Sequence, residues 1–341
     1  MAERGTTLRL IDVAERAGVS LATASRSLSG TTGVSDRVAE RVRSVAVDMG
    51  YVANAHARSL AGGADRSVGL IVSEIGDPYF AEIASGVIGV ATANQRTVQI
   101  GHAADPEAVL AQIRQLRAHQ VGAIVLAGSG YADASLEAAS NAELTAFQAS
   151  GGRVVAIGRH HLAADAVLPD NVEAGRAIGA HLVGLGHRRI ALVAGPAALN
   201  TVADRISGLL DVIGDAVVSV EHQEFSRAGG ARGAAAVLEG HPEVTAIVAL
   251  SDIMAIGVLA TARERGIRVP DRLSVAGFDD IPVAADVAPG LTTVRIPMAE
   301  LGAAAMRLAL LDRASRPRRK ETGHELVVRD STAAPFSGAQ E

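Results

Sequence analysis

Cysteine is absent from the 341 residues. That excludes disulfides, thiolate metal sites, iron–sulfur clusters and cysteine nucleophiles together, and it fits a reducing compartment. Tryptophan is also absent and aromatic residues make up 2%, too few to build a base-stacking surface for single-stranded nucleic acid. The longest stretch without Asp, Glu, Lys or Arg runs from Ala118 to Ala132 and is interrupted by His119 and Gln120, too short for a membrane span. The opening MAERGTTLRLIDVAERAG carries charges where a signal peptide needs an apolar core. No Walker sequence, nucleophile elbow or HExxH occurs, so neither a cofactor nor an enzymatic activity is expected. These absences predict a soluble, cytoplasmic protein.

Hydrophobic residues account for 48% and charged residues for 20%, ample for a packed core in a chain long enough for two or three domains. The net charge of −5 argues against an overall electrostatic grip on nucleic acid. The charge is uneven, however: residues 1–60 hold eight Arg against six Asp and Glu. A small basic head on an acidic body suits local DNA contact.

The first sixty residues read as short helices. Leu10, Val13, Ala14 and Ala17 form one apolar stripe, stopped by Gly18. Ser20 then caps a helix over Leu21 to Leu28, and a third helix carries Val38, Val42, Val45 and Met49. From Ser67 onward, apolar runs alternate with amphipathic helices: VGLIV, TVQIG, GAIVLA, RVVAIG, RRIALVAG, TAIVAL and LSVAGF. Near-continuous apolar strands separated by helices indicate parallel sheets covered on both faces. The pattern occurs in two blocks, roughly 66–160 and 161–290. The expected fold is therefore an all-α head followed by an α/β body of two doubly wound parallel sheets, with a ligand between them at the carboxyl ends of the strands.

Residues 11–30, IDVAERAGVSLATASRSLSG, form a helix-turn-helix whose corner is Ala17-Gly18-Val19-Ser20. In its second helix Leu21 with Ser25, and Ala22 with Arg26, share an outward face, while Ala24 and Leu28 point toward the first helix. Residues at the front of such a helix reach base edges in the major groove; Thr23 and Ser25 can hold phosphates, and Arg26 a guanine edge or a phosphate. Leu21 and Ala22 lack hydrogen-bonding groups, so base reading there is apolar contact with thymine methyls.

The DVA–AGVS–T–SR pattern, GVS at 33–35, GY at 50–51 and NAHARSL at 54–60 resemble the LacI-type repressor family. So do DPYF (77–80), GHRRIALVAG (186–195), RISG (205–208), SDIMAIG (251–257), AGFDD (276–280), LTTV (291–294) and ELVVRDST (325–332), in family order. The resemblance implies a homodimeric transcription regulator, most often a repressor, bound to a palindromic double-stranded operator. Its DNA affinity would be set by a small carbohydrate or nucleoside-like effector. It implies a helix-turn-helix domain over 1–52, a hinge helix and linker over 53–64, and an effector-binding and dimerisation body over 65–341. The body would be of the two-lobed periplasmic-binding-protein kind, with an N-lobe of about 65–160 and 295–322 and a C-lobe of about 161–294 and 323–335. It also implies a hinge helix in the minor groove, with Asn54 as cap, Ala57 on the groove floor and Leu60 as wedge, in keeping with a helix too short to be stable alone. Ala53 stands where the family usually has proline, Arg9 where a capping Thr is common, and Ser29, a DNA-contact position, where Asn is common.

In the body, Asp77, Tyr79 and Phe80 follow the first strand, where a loop meets the cleft. Arg205 is read as opening a helix, where a cation calls for an anion or a hydroxyl-rich ligand. Phe225 matches the family's aromatic platform beneath the ligand ring. Asp279 follows the strand LSVAGF, and a carboxylate there can take two donors. Ser251 stands where Asn is frequent and Gly158 where some members carry an acid. His160-His161 and RPRRK (316–320) read as solvated loops; no further metal ligands lie at a useful spacing from the histidines, and no metal is expected. GSGYAD (128–133) lacks the third glycine of a dinucleotide fingerprint. Two rivals remain: a solute-binding receptor with a degenerate head, and an enzyme using Asp279 or Asp280 as base, which lacks any accompanying nucleophile.

The wedge reading predicts that Leu60→Ala weakens operator binding strongly and leaves ligand binding unchanged. Gel-shift and calorimetric titrations test it, and equal operator affinity in the variant rules the wedge out.

Overall fold

A computed structural model describes residues 8–29, 33–51 and 67–335. The chain divides into two compact units, Met1–Asp65 and Arg66–Glu341. Among the described residues no helix is long and apolar enough to cross a membrane.

In the first unit, α1 (Leu10–Ala17), α2 (Leu21–Ser29) and α3 (Asp36–Asp48) enclose a small core of Val13, Ala14, Ala17, Ala24, Val42 and Ala46. Arg9 makes no side-chain cap; instead the Asp12 carboxylate accepts the Arg9 amide at 2.7 Å. The turn between α1 and α2 depends on Gly18, whose φ of 66° is left-handed and whose amide closes onto the Glu15 carbonyl. Ser20 then opens α2 by accepting the Thr23 amide on its Oγ at 3.2 Å.

The second unit holds two parallel sheets. In the first lobe the strands are β1 (Ser67–Val72), β2 (Thr97–His102), β3 (Ala123–Ala127), β4 (Arg153–Ile157), β5 (Asp165–Pro169) and β11 (Arg319–Thr322), in the order β11-β5-β4-β3-β1-β2. In the second they are β6 (Ile190–Ala194), β7 (Val217–His222), β8 (Ala246–Ala249) and β9 (Ser274–Ala276), in the order β7-β6-β8-β9. A two-stranded antiparallel ribbon joins β10 (Thr293–Arg295) to β12 (Glu325–Val327). The covering helices are α4 (Pro78–Ala93), α5 (Pro106–Ala118), α6 (Ala138–Ala149), α7 (Asn171–Gly184), α8 (Asn200–Ile213), α9 (Arg227–Gly240), α10 (Asp252–Glu264) and α11 (Met298–Leu310). The chain leaves the first lobe after β5, returns with α11 and β11, and leaves again for β12. Strands β1, β3, β6 and β8 are buried along their whole length, which is why they read as unbroken apolar runs.

Two expectations need correction. Strand β5, which falls after the division at residue 160, pairs with β4 in the first sheet. RPRRK is not wholly a solvated loop: Arg319 and Lys320 belong to edge strand β11, and the Arg318 amide donates to Asp165 at 2.7 Å. The edge position explains both: its residues 319–321 are exposed, so apolar patterning is absent.

Helices α4 and α11 approach closely enough that a Cβ on Gly86 would collide with the Ala299 carbonyl, and one on Gly302 with the Ile83 carbonyl. Gly86→Ala is expected to lower stability in urea unfolding by about 1–3 kcal/mol or more. Gly184→Ala, on an open helical surface, is expected to be neutral or to stabilise by about 0.5–1 kcal/mol.

Candidate functional site

Two sites are built by these elements. In the head, the side chains of α2 sort by burial. Ala24 and Ser27 face the core, the latter returning its Oγ to the Thr23 carbonyl at 2.8 Å. Leu21, 49% exposed, Ala22 and Arg26 face outward, with Ser25 half-buried beside them. Thr23 shares a 2.9 Å hydroxyl contact with Ser20, and Arg26 Nε donates to the Ala22 carbonyl at 3.2 Å. Ser29 closes the helix. Asn54, Ala57 and Leu60 lie outside the described residues. An exposed leucine at the first turn of a helix, flanked by hydroxyls and an arginine, presents an apolar contact amid groups of the kind that can hold phosphates.

In the body a cavity of about 350 Å³ lies between the lobes. Its walls are the loops leaving the carboxyl ends of β1 to β4 on one side and of β6 to β9 on the other, the position where open α/β sheets bind ligands. Every body residue singled out from sequence lines it: Asp77, Tyr79, Phe80, Arg205, Phe225, Ser251 and Asp279. A wider depression of about 650 Å³ beside Arg114 and Arg117 lies at the amino ends of strands. Both arginines there are already held by Glu143, so it offers no convergent free polar groups.

Arg205 does not open a helix; it sits in the second turn of α8 and is 3% exposed. Its guanidinium is bound on three sides: NH2 to Asp279 Oδ1 at 2.8 Å, Nε to Asn171 Oδ1 at 2.9 Å and NH1 to the Leu250 carbonyl at 2.6 Å. The Phe278 ring lies beneath it, 4.8 Å from centroid to Cζ. Asp279 is 4% exposed and has a φ of 106°, a strained conformation for a residue with a Cβ. It persists because the Asp279 amide donates to Val294 at 2.8 Å and its carbonyl accepts from Ile296 at 3.3 Å. Strain of this kind gathers at binding sites. Burial pushes the Asp279 carboxyl up, against the pull of Arg205. Its neighbour Asp280 has a different task, bridging Arg295 and Arg329 at 2.8 and 2.7 Å.

Across the cleft, Asp77 caps α4 by accepting the Tyr79 amide at 3.0 Å. Burial, with Asp279 adding repulsion, raises its carboxyl to about 6. Burial likewise pushes the Tyr79 phenol up, and Tyr79 meets Phe80 edge-on at 5.0 Å. Phe225 lies half-buried against Gly195. Ser251 is a helix cap as well as a wall residue, accepting the Met254 amide at 3.4 Å. Below it Asp252, taking Thr293 Oγ1 at 2.6 Å and the Ile281 amide at 2.9 Å, is held well above the usual carboxylate range by burial.

Several contributors escaped the sequence reading. Asn171, which orients Arg205, carries no motif. Asn200 donates to the carbonyls of Tyr131 and Arg159 at 3.1 and 2.9 Å, tying the lobes together. Beside it the Ala132 and Asn200 amides donate across the cleft at 2.8 and 2.9 Å, and Arg159 pairs with Asp204 at 2.5 Å. His160 is not in a solvated loop: its Nδ1 meets Glu137 at 2.6 Å and its Nε2 the Gly128 carbonyl at 3.1 Å. Among the described residues no cluster of His, Asp and Glu is arranged to hold a metal.

Residues 9–54 match the model of bacterial regulatory proteins, lacI family, and residues 180–332 that of the periplasmic binding protein-like domain. The chain is 31% identical to the HTH-type transcriptional regulator DegA of Bacillus subtilis, over 95% of this chain and 98% of that one. It is 31% identical to the HTH-type transcriptional repressor PurR of Klebsiella pneumoniae, over 95% and 97%. A crystal structure of the Lac repressor bound to ONPG in the repressed state matches with a TM-score of 0.83 at 25% identity, over 96% of this chain and all of that one.

Removing Arg205 would leave Asp279 buried and unpaired. Arg205→Met is expected to cost about 3–5 kcal/mol in urea unfolding; a loss below about 1 kcal/mol would mean that the pair is not desolvated as described.

Proposed function

The chain belongs to the LacI family of bacterial regulatory proteins, and from that membership we propose how its two sites divide the work of an effector-controlled, sequence-specific transcriptional regulator. The relatives are regulators rather than enzymes, so the cleft is a sensing site. One observation carries the reading of the cleft: Asp77 from one lobe faces Arg205 and Asp279 from the other across a cavity whose walls include Tyr79 and Phe225. Carboxylates and a guanidinium converging beside aromatic faces match a polyhydroxyl ring, whose hydroxyls donate to the carboxylates and accept from the guanidinium. The protein acts as a repressor.

Residues 1–52 form the DNA-reading domain, 53–64 the hinge segment, and 65–341 the sensing and dimerising body. Leu21 and Ala22 touch base edges, Thr23 and Ser25 hold phosphates, Arg26 takes a guanine edge or a phosphate, and Ser29 is a further DNA-contact position. Asn54, Ala57 and Leu60 contact the minor groove. A two-fold dimer sets two heads on matching half-sites, so the operator is palindromic. An effector acts by binding one lobe arrangement better than the other, since equal affinity for both shifts nothing. The interlobe bonds of Asn200 and the Arg159–Asp204 pair are the contacts whose making and breaking accompanies that change.

Footprinting the DNA that flanks the gene, with and without a panel of sugars and nucleosides, tests this assignment. A protected palindrome that one compound abolishes or strengthens supports it; no protection at low salt returns the solute-receptor reading. A pH dependence also follows. Asp77 is ionised above about pH 6 and accepts hydroxyl donors. Effector affinity is therefore expected to fall as pH drops from 7 to 5, and Asp77→Asn to flatten that profile in calorimetry. Because the folded state holds this proton more tightly than the unfolded chain, Asp77 favours folding at acid pH, a contribution lost as pH rises through about 6.

A further inference from the structure

We infer that His160 stands as an imidazolium, and that its two ring protons together position the loop by which the first lobe grips the second. The inference goes beyond the effector reading of the cleft and concerns the interlobe contacts themselves. At the cleft the first lobe reaches the second from two places, residues 129–132 after β3 and Arg159 after β4. The Asn200 amide donates to the Gly130 carbonyl at 2.9 Å, the Ala132 amide to the Ala198 carbonyl at 2.8 Å and the Thr201 amide to Ser129 Oγ at 2.9 Å. The Asn200 side chain and Asp204 add the bonds to Tyr131 and Arg159. The two loops that carry this grip lie backbone against backbone. A Cβ on Gly130 would collide with the Arg159 carbonyl, and one on Gly158 with the Gly128 carbonyl.

The His160 ring ties these loops to the start of α6. Its Nδ1 lies 2.6 Å from Glu137 Oε1 and its Nε2 3.1 Å from the Gly128 carbonyl. A neutral imidazole has one N–H and one lone pair, so either tautomer would set a lone pair against one of these oxygens. The carbonyl can only accept. Burial pushes the Glu137 carboxyl up, but the hydrogen bond and charge of His160 outweigh it and hold it below the usual range. Its Oε2 accepts the His161 amide at 3.2 Å. Both partners are therefore acceptors, and the ring donates twice. The side chains of His160 and Glu137 are 11% and 8% exposed, so water does not readily replace a bond lost between them. By contrast His161 Nε2 meets the Tyr131 carbonyl at 3.0 Å, for which one proton suffices. The other ionisable groups around the pair are Asp133, which faces His161, and Arg159, paired with Asp204. The Tyr131 phenol is pushed up by burial and by the charges of Asp105 and Glu137. Loss of one His160 proton takes the donor from Gly128 or from Glu137, and the grip loosens as pH rises.

Two measurements on the full-length protein test this. Long-range proton–nitrogen correlation spectra with nitrogen-labelled histidine read the ring directly, and His160→Gln assigns its signals. Two protonated ring nitrogens are expected at about pH 6, and Glu137→Gln is expected to move the loss of the second proton to lower pH. Hydrogen-exchange mass spectrometry, corrected for the pH dependence of free-peptide exchange, reads the grip. Protection of the peptides carrying the Ala132, Asn200 and Thr201 amides is expected to fall about tenfold or more as that proton is lost. In His160→Gln it is expected to be low throughout and flat with pH. A merely structural role for the ring would lower protection in the variant without coupling it to pH in the unmodified protein. If His160→Gln does not fold, Glu137→Gln and the pH profile of the unmodified protein carry the test. A bare ring nitrogen at about pH 6, or protection that does not follow the proton, overturns the inference. Either result leaves the effector reading of the cleft standing, since that reading is decided by footprinting.

Discussion

A guanidinium and a carboxylate removed from water must each find a full set of partners, and much of the body is arranged to supply them to Arg205 and Asp279. Arg205 is carried by α8, which packs so closely on α7 that the Arg205 carbonyl lies where a Cβ of Gly175 would be. That approach also brings Asn171, at the start of α7, within 2.9 Å of the guanidinium. From the other side, β9 delivers Asp279 with a left-handed φ that ribbon contacts from Val294 and Ile296 hold in place. The pair thus fixes the relation of α7, α8, β8 and β9, and it sits where a ligand bridging the lobes would meet it.

The opposite wall is less tightly determined. Asp77, Tyr79 and Phe80 occupy the first turn of α4, and Asp77 gives one oxygen to its own helix, leaving the other for the cleft. Between the two walls run few direct bonds, chiefly those of the Asn200 side chain, the main-chain amides of Ala132, Asn200 and Thr201, and the Arg159–Asp204 pair. Control by a ligand requires two arrangements with different affinities for it, and these interlobe links are the contacts that a second arrangement would have to remake.

The parts most legible in the sequence were those whose burial is complete or whose cap is local. Strands β1, β3, β6 and β8 are covered on both faces, so VGLIV or RRIALVAG announces them. The reading helix α2 was visible because Gly18 and Ser20 mark its start within the chain itself. Edge strand β11 reads as a loop because its exposed positions admit Arg, Lys and Glu. Helix α8 begins without a side-chain cap, so Arg205 was placed at its start rather than in its second turn. The wall residues of the cleft were found through family motifs. Their partners were not, because Asn171 and Asp279 meet Arg205 from 34 and 74 residues away, and no local pattern encodes such a distance.

The central claim is that the cleft and the head share one free-energy balance. Its most direct test is reciprocal linkage in a single sample set: operator affinity by fluorescence anisotropy at saturating and zero effector, and effector affinity by calorimetry with and without operator. The account predicts that the effector changes operator affinity by the same factor by which the operator changes effector affinity, on the order of 5–150-fold. An effector that fills the cleft tightly yet leaves operator affinity unchanged would contradict it.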